Sequence, residues 1–319
     1  MEKTKHISVL LKEAVAALNV QPGGSYLDAT LGGGGHSNEI LKQMGSTGTL
    51  VACDQDPEAL RVFQKIIEGM GYVATDIKQV GTVSYKTLTK SLQKIFLVHA
   101  NFSELPRFLS GKLEIGKING VLADLGLSTD QLLERERGFS YLAEGKLDMR
   151  MNPRIMVTAA NLLNGLYEKE LEELFRKYGD VEFSVKLARA VVRARNVRPF
   201  VKVRDLKQIV QKIVPLAARL GASKHPEAKV FQALRIAVND ELNSLKQFLP
   251  QALEILAPGG RIAVITFHSG EDRIVKNDFR DAVNLGKAEY LHKILLPEAS
   301  ELERNQRSHS AKLRAIIKK

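Results

Sequence analysis

Apolar positions along the first third of the chain switch repeatedly between two periods. LLKEAVAAL (10–18) has helical spacing, YLDAT (26–30) reads as a buried strand, and HSNEILKQM (36–44) is helical again, starting at a run of glycines. TLVACDQD (49–56) predicts a second strand. DPEALRVFQKIIEG predicts a second helix with Pro57 near its start, where a missing N–H is tolerated. IFLVHANFSEL (95–105) reads as a third strand and its loop, and INGVLADLGLS (118–128) as a fourth. This β-α-β-α order predicts an α/β, Rossmann-like sheet of parallel strands with ligands at their carboxyl ends.

Beyond residue 128 the alternation stops. EKELEELFRKYG, VEFSVKLARAVVRARNV and VRDLKQIVQKIVPLAARL follow one another as helices, and no convincing buried strand lies among them. Strand character returns with GGRIAVITFHS (259–269), after the helix-like ALRIAVNDELNSLKQFLPQALEIL. The economical reading is a discontinuous α/β domain (1–128 and 226–319) carrying an all-helical insert (129–225). Residues 70–94 are polar and threonine-rich, and no element is assigned to them.

Composition narrows the class. A chain of 319 residues with 44% hydrophobic residues buries a real core. No stretch reaches the roughly 18 apolar residues of a membrane span, and Lys12 and Glu13 interrupt any leader-like run near the start. One cysteine, Cys53, excludes an internal disulfide framework and fits a reducing compartment. The expectation is a soluble, cytoplasmic protein. A net charge of +11 directs attention to a polyanion, with nucleic acid first. With aromatics at 6% and no Trp, a broad stacking platform is disfavoured, whereas a positive groove presenting one nucleotide to a pocket is compatible.

The candidate chemistry begins at LDATLGGGGHS (27–37). Four glycines follow a strand, yet the dinucleotide spacing G-x-G-x-x-G fails, because the third glycine would fall at Ser37 or Asn38. Asp54 ends the second strand 19 residues after Gly35, where a carboxylate can accept both hydroxyls of an adenosine ribose. Asp56, before Pro57, suits the helix cap better, which leaves Asp54 for a ligand. Phe102 and Asp124 fall at the ends of strands three and four, facing the same crevice. No G-x-x-x-x-G-K-[ST] occurs, which counts against an NTPase. A glycine turn off the dinucleotide spacing suits S-adenosylmethionine, which has no phosphate, and favours a methyltransferase over a dehydrogenase.

HISVLLKEAV, LGGGGHS, DQDP, ANFSEL, ADLGLSTDQL, ERGFSY, LDMRM, FQALRIAVNDEL, LAPGGRIAVITFHSGEDRIVK and RSHSAKLR span nearly the whole chain. In these stretches and their order the sequence resembles the bacterial 16S ribosomal RNA cytosine-N4 methyltransferases, the RsmH or MraW family. The resemblance implies a class I S-adenosylmethionine domain with a helical insert. It implies cofactor contacts at Gly34, Gly35 and His36, Asp54 on the ribose, Phe102 and Asp124 beside the adenine and sulfonium, and Gln131 closing the site. It also implies 16S rRNA as partner, within the small subunit and at its decoding region. This chain departs from the family's pattern in STDQLL after ADLGL, in Gly270 where a Leu is usual, in a short segment before RSHSAKLR, and at 70–94.

The cytosine N4 lone pair is delocalised into the ring, so transfer needs a proton acceptor, a clamped base and in-line placement. Phe139 is the candidate to stack on the base, and Asp148 or Asp124 to accept from N4. Core packing for Phe139 and an Arg150 partnership for Asp148 are the plain alternatives. Arg150, Lys186, Arg189, Arg193, His268, Ser269 and Arg307 complete the expected substrate surface, onto which the target base would be extruded. Transfer to C5 is disfavoured because the only thiol, Cys53, lies inside a strand. Scattered histidines predict no metal. A sensor that binds an adenosine ligand without turnover is the competing class, and Asp54, Asp124 and Gln131 together favour the enzyme. A monomer or a homodimer is expected.

Overall fold

The structure, a computed structural model, describes residues 7–113, 115–214 and 226–319. Two compact units divide the chain, Met1–Leu127 with Leu242–Lys319, and Ser128–Glu241.

The first unit is built on one sheet of ten strands among the described residues: β1 (Ser25–Asp28), β2 (Thr47–Asp54), β3 (Val73–Ala74), β4 (Lys78–Val80), β5 (Val83–Lys90), β6 (Leu92–His99), β7 (Ile118–Asp124), β8 (Leu256–Thr266), β9 (Ala288–Leu295) and β10 (Lys312–Lys318). They run in the order β3-β5-β6-β2-β1-β7-β8-β10-β9, with β4 also paired to β5. The centre, β6-β2-β1-β7-β8, is parallel. Strand β10 enters antiparallel between β8 and β9.

Both sheet faces are buried, as a parallel sheet with crossover helices requires. Leu27, Val51, Cys53, Val98 and Val121 pack on one side with Phe108, Phe248 and Phe279 from helices Leu105–Lys112, Glu241–Ile255 and Ser269–Asn284. Tyr26, Leu50, Ala52, Ile95 and Leu122 pack on the other with Leu18, Ile40 and Phe63 from helices Leu11–Leu18, Gly35–Met44 and Pro57–Gly69. Strand order diverges on either side of β1, so the crevice at the carboxyl ends of β1, β2 and β7 is where such a sheet binds ligands.

Residues 70–94, unassigned from the sequence, form β3, β4, β5 and the start of β6. This antiparallel excursion widens the sheet past strand three. The two C-terminal strands also had no counterpart in the hydrophobic pattern.

In the second unit the helices are Thr129–Leu133, Ala159–Gly165, Glu168–Gly179, Ser184–Arg195, Val203–Ile213 and Pro226–Asn239. The helix expected over 203–220 ends at Ile213, and residues 215–225 lie outside the described residues. Pro226–Asn239 belongs to this unit, not to the α/β part as the 225/226 boundary had it. Its Phe231 meets Tyr141 edge to face at 6.3 Å. At Gly179 an added Cβ would sit 2.5 Å from the Lys229 carbonyl oxygen, so helices 168–179 and 226–239 touch backbone to backbone.

Candidate active site

The glycine turn owes its composition largely to neighbouring side chains. Gly34 lies in the left-handed region (φ 76) and starts helix Gly35–Met44. A Cβ there would fall 2.3 Å from the Phe63 ring, and one on Gly35 would fall 2.0 Å from Ser8 Oγ. Gly32 is also left-handed (φ 50), which turns its N–H onto Asp54 Oδ2 at 2.8 Å. The Asp56 N–H takes Asp54 Oδ1 at 2.8 Å, while the Asp56 side chain caps the next helix through Glu58 N–H. Asp56 thus takes the helix cap, as the sequence predicts.

Three carboxylates gather at the ends of β1, β2 and β7. Asp28 is buried, accepts the Ser37 hydroxyl (2.7 Å) and the Thr30 N–H (3.2 Å), and is pushed by burial up to about 6. Burial raises Asp54 to about 7, against the pull of its two backbone donors and with help from Asp56 and Asp28. Burial raises Asp124 to about 8; Asp28, Glu271 and Glu301 add to the rise and Arg307 opposes it. Asp124 is oriented by its own N–H, which donates to Thr30 Oγ1 at 2.6 Å. Its Oδ1 is buried without a hydrogen-bond partner among the described residues.

His36 is buried beside this cluster. Its Nε2 lies 3.1 Å from the Val9 carbonyl, which can only accept, so Nε2 carries the proton. The other ring nitrogen, Nδ1, lies 3.7 Å from Asp124 Oδ2. The stretch carrying Val9 is held in turn: Leu10 N–H donates to Glu301 Oε1 (2.8 Å) and Asn305 Nδ2 to the Ile7 carbonyl (3.2 Å). Arg307 donates to the Leu127 carbonyl. Phe102 opens a 3-10 turn after β6 and meets Phe248 edge to face at 5.3 Å, packing against the core.

His268 Nδ1 accepts from Gly270 N–H (3.2 Å) and Glu271 N–H (3.4 Å), capping helix Ser269–Asn284, and Nε2 lies 3.1 Å from Glu271 Oε1. The ring caps the helix through Nδ1, and Nε2 is buried beside Glu271. Ser269 is the first residue of that helix.

In the second unit, Gln131 Oε1 accepts the Ser128 N–H at 3.1 Å while Ser128 Oγ accepts the Gln131 N–H at 3.2 Å. Phe139, Asp148 and Arg150 are brought together by Arg137. Its guanidinium lies 5.1 Å from the Phe139 ring centroid and donates to the carbonyls of Arg150 and Met151. Phe139 is buried, with that face covered. Arg150 grips Asp148 with two bonds (2.6 and 2.8 Å). Burial pushes the Asp148 carboxyl up, but the Arg150 bonds and charge outweigh it and hold the group below its usual value. Asn239 fastens the same loop, accepting from Met151 N–H and donating to the Met149 carbonyl, at a Met149 of φ 63. Lys186, Arg189 and Arg193 are exposed on helix Ser184–Arg195, with Arg189 3.2 Å from Glu168.

Asp28, Thr30, Arg137 and Asn239 were not singled out from the sequence. Asp28 had a signal, an acidic residue closing a buried strand just before the glycines. The others act through contacts that no local pattern encodes. Among the described residues no group of His, Cys, Asp and Glu is placed to hold a metal ion, and no helix is long and apolar enough to cross a membrane. A cationic ligand with a ribose fits the cluster: it would relieve three crowded carboxylates and meet the unpartnered Asp124 oxygen.

A profile of the MraW methylase family matches residues 3–319. The chain is 42% identical over 320 residues to the ribosomal RNA small subunit methyltransferase H of Koribacter versatilis, covering 100% of this chain and 96% of that protein. It is 42% identical over 329 residues to the protein of the same name from Heliobacterium mobile, covering 98% of each. Among solved structures, an rRNA methylase from Streptococcus thermophilus aligns over 98% of both chains, at 10% identity and a TM-score of 0.44.

Proposed function

The chain belongs to the MraW methylase family, and from that premise we propose that it moves a methyl group from S-adenosylmethionine to the N4 amine of a cytidine in 16S ribosomal RNA, at the decoding region. The carboxylate cluster at the ends of β1, β2 and β7 carries this reading. S-adenosylmethionine, when bound, supplies an electrophilic methyl group on a cationic sulfur. Asp54, fixed by Gly32 and Asp56 N–H groups, keeps lone pairs for two ribose hydroxyls. Asp28 and Asp124 provide the negative field that a cation needs in a buried crevice.

Asp124 is the better proton acceptor of the two candidates. Asp148 is neutralised by Arg150 and held below its usual pKa, which makes it a weak base. Asp124 has a raised pKa and an oxygen without a partner. A cation beside it draws that pKa down and ionises the carboxylate, readying it to accept. Asp54, Asp28 and Asp124 would hold S-adenosylmethionine, which would supply the methyl group for N4, and Asp124 would accept the N4 proton released. The helical unit supplies the RNA-recognition surface, with Lys186, Arg189 and Arg193 following phosphates. A surface pair such as Arg189–Glu168 is weak enough for a phosphate to replace it.

Tritium transfer from labelled S-adenosylmethionine to undermethylated small subunits, followed by nucleoside analysis, tests this. Label in N4-methylcytidine, lost in Asp54→Ala together with cofactor binding, supports the reading. Cofactor binding without transfer to subunits or naked RNA overturns it in favour of a sensor.

A further inference from the structure

The excursion after helix Pro57–Gly69 builds a groove that methyl transfer leaves unused. Strand β5 pairs antiparallel with β6, setting Ser84 opposite His99 and Lys86 opposite Leu97, so these four share one face of the sheet. The helix lays Leu60, Arg61 and Gln64 over that face, and between them lies a groove of about 270 Å³, with Ile77 on its wall. Lys86 Nζ donates to Gln64 Oε1 at 3.2 Å, tying strand to helix across it. His99 Nε2 contacts the Gln55 carbonyl at 3.1 Å. Gln55 directly follows Asp54, so the groove opens on the same rim as the carboxylate cluster, one strand farther out.

The lining has two characters. Pro57, Leu60 and Leu97 make an apolar floor, and Arg61, Lys86 and His99 place positive or donor groups at its edge. That pairing suits a planar apolar ring joined to an anion. The segment 57–99 as a whole carries six Lys or Arg against three carboxylates. The groove, at about 270 Å³, falls just below the roughly 300–1,000 Å³ usual for whole small-molecule sites, which suits a single nucleotide unit on an open surface.

We propose that this groove binds one nucleotide of the substrate RNA strand, base on the apolar floor and phosphate against Arg61 and Lys86. The proposal rests on the reading of RNA as substrate. Arg61 is bridged to Glu58 at the exposed rim, and a phosphate takes over that guanidinium on binding.

The test uses the full chain with isoleucine δ1-methyl labelling, Ile77→Leu identifying the groove signal. A short single-stranded oligoribonucleotide should shift the Ile77 methyl, whereas S-adenosylhomocysteine alone should not. Arg61→Ala and Lys86→Ala should each weaken oligonucleotide binding and lower the slope of log affinity against log salt by about 0.7, with S-adenosylhomocysteine affinity unchanged. An unmoved Ile77 at saturating oligonucleotide, or unchanged salt slopes, overturns the proposal. So does adenosine monophosphate shifting Ile77 where the oligonucleotide does not, which would make the groove a site for free nucleotide. The Ile77 signal needs no turnover. A silent Ile77 with intact transfer to subunits counts against the groove alone, and absent transfer with a responding Ile77 counts against N4 methylation alone.

Discussion

Gly34 shows how a residue that looks reserved for a ligand can be required by packing. Its backbone is left-handed and its missing Cβ makes room for the Phe63 ring. Gly34→Ala should therefore destabilise even the cofactor-free protein, by about 1–3 kcal/mol from backbone strain and overpacking. Phe63→Leu in the same chain should return part of the steric share. Urea denaturation without cofactor measures both; a loss confined to cofactor binding, with stability unchanged, would mean that the ligand alone demands the glycine. Asp28 and Asp124 make the complementary point, since neither pKa is written in a local sequence. Each is raised by burial that only the assembled sheet creates.

At the scale of elements, the central strands and their helices were legible because apolar residues on both faces leave an unmistakable period. Strand β5 was not: Val83 to Lys90 mixes polar and apolar side chains on both faces, and only Val83 and Leu88 are buried in it. The turn before it uses Gly81 in the left-handed region, a readable signal, but the turn into β6 uses Ser91 (φ 53), which is not. Strand β10 was hidden for another reason, since its place between β8 and β9 depends on pairing across distant sequence. The cap made by His268, whose Nδ1 closes a capping box with Glu271, was not legible either, because a histidine after a strand carries no local capping signal. His268→Ala should cost about 1 kcal/mol, and His268→Asn, which still caps, should recover most of it. Thermal denaturation of the two variants checks this; equal losses would remove the cap from the explanation.

For the whole molecule, the carboxylate cluster couples stability to pH. Asp28, Asp54 and Asp124 have folded pKa values above those of unfolded carboxylates, so the folded state binds more protons between about pH 4 and about pH 8. Stability of the cofactor-free protein should be fullest near the acidic end of that window and fall as pH rises through about 6, 7 and 8. S-adenosylmethionine should raise the melting temperature more at pH 8 than at pH 6, because its charge offsets the repulsion. Differential scanning fluorimetry reads this, and stability that rises with pH across the window would contradict it. The same ionisation governs the reaction, and the single-turnover rate of methyl transfer against pH, in wild type and Asp124→Asn, tests it most directly. The wild-type rate should fall as pH drops through the Asp124 ionisation, and the variant should be at least about 100-fold slower and lack this inflection. An Asp124→Asn protein with the wild-type rate and profile would contradict it.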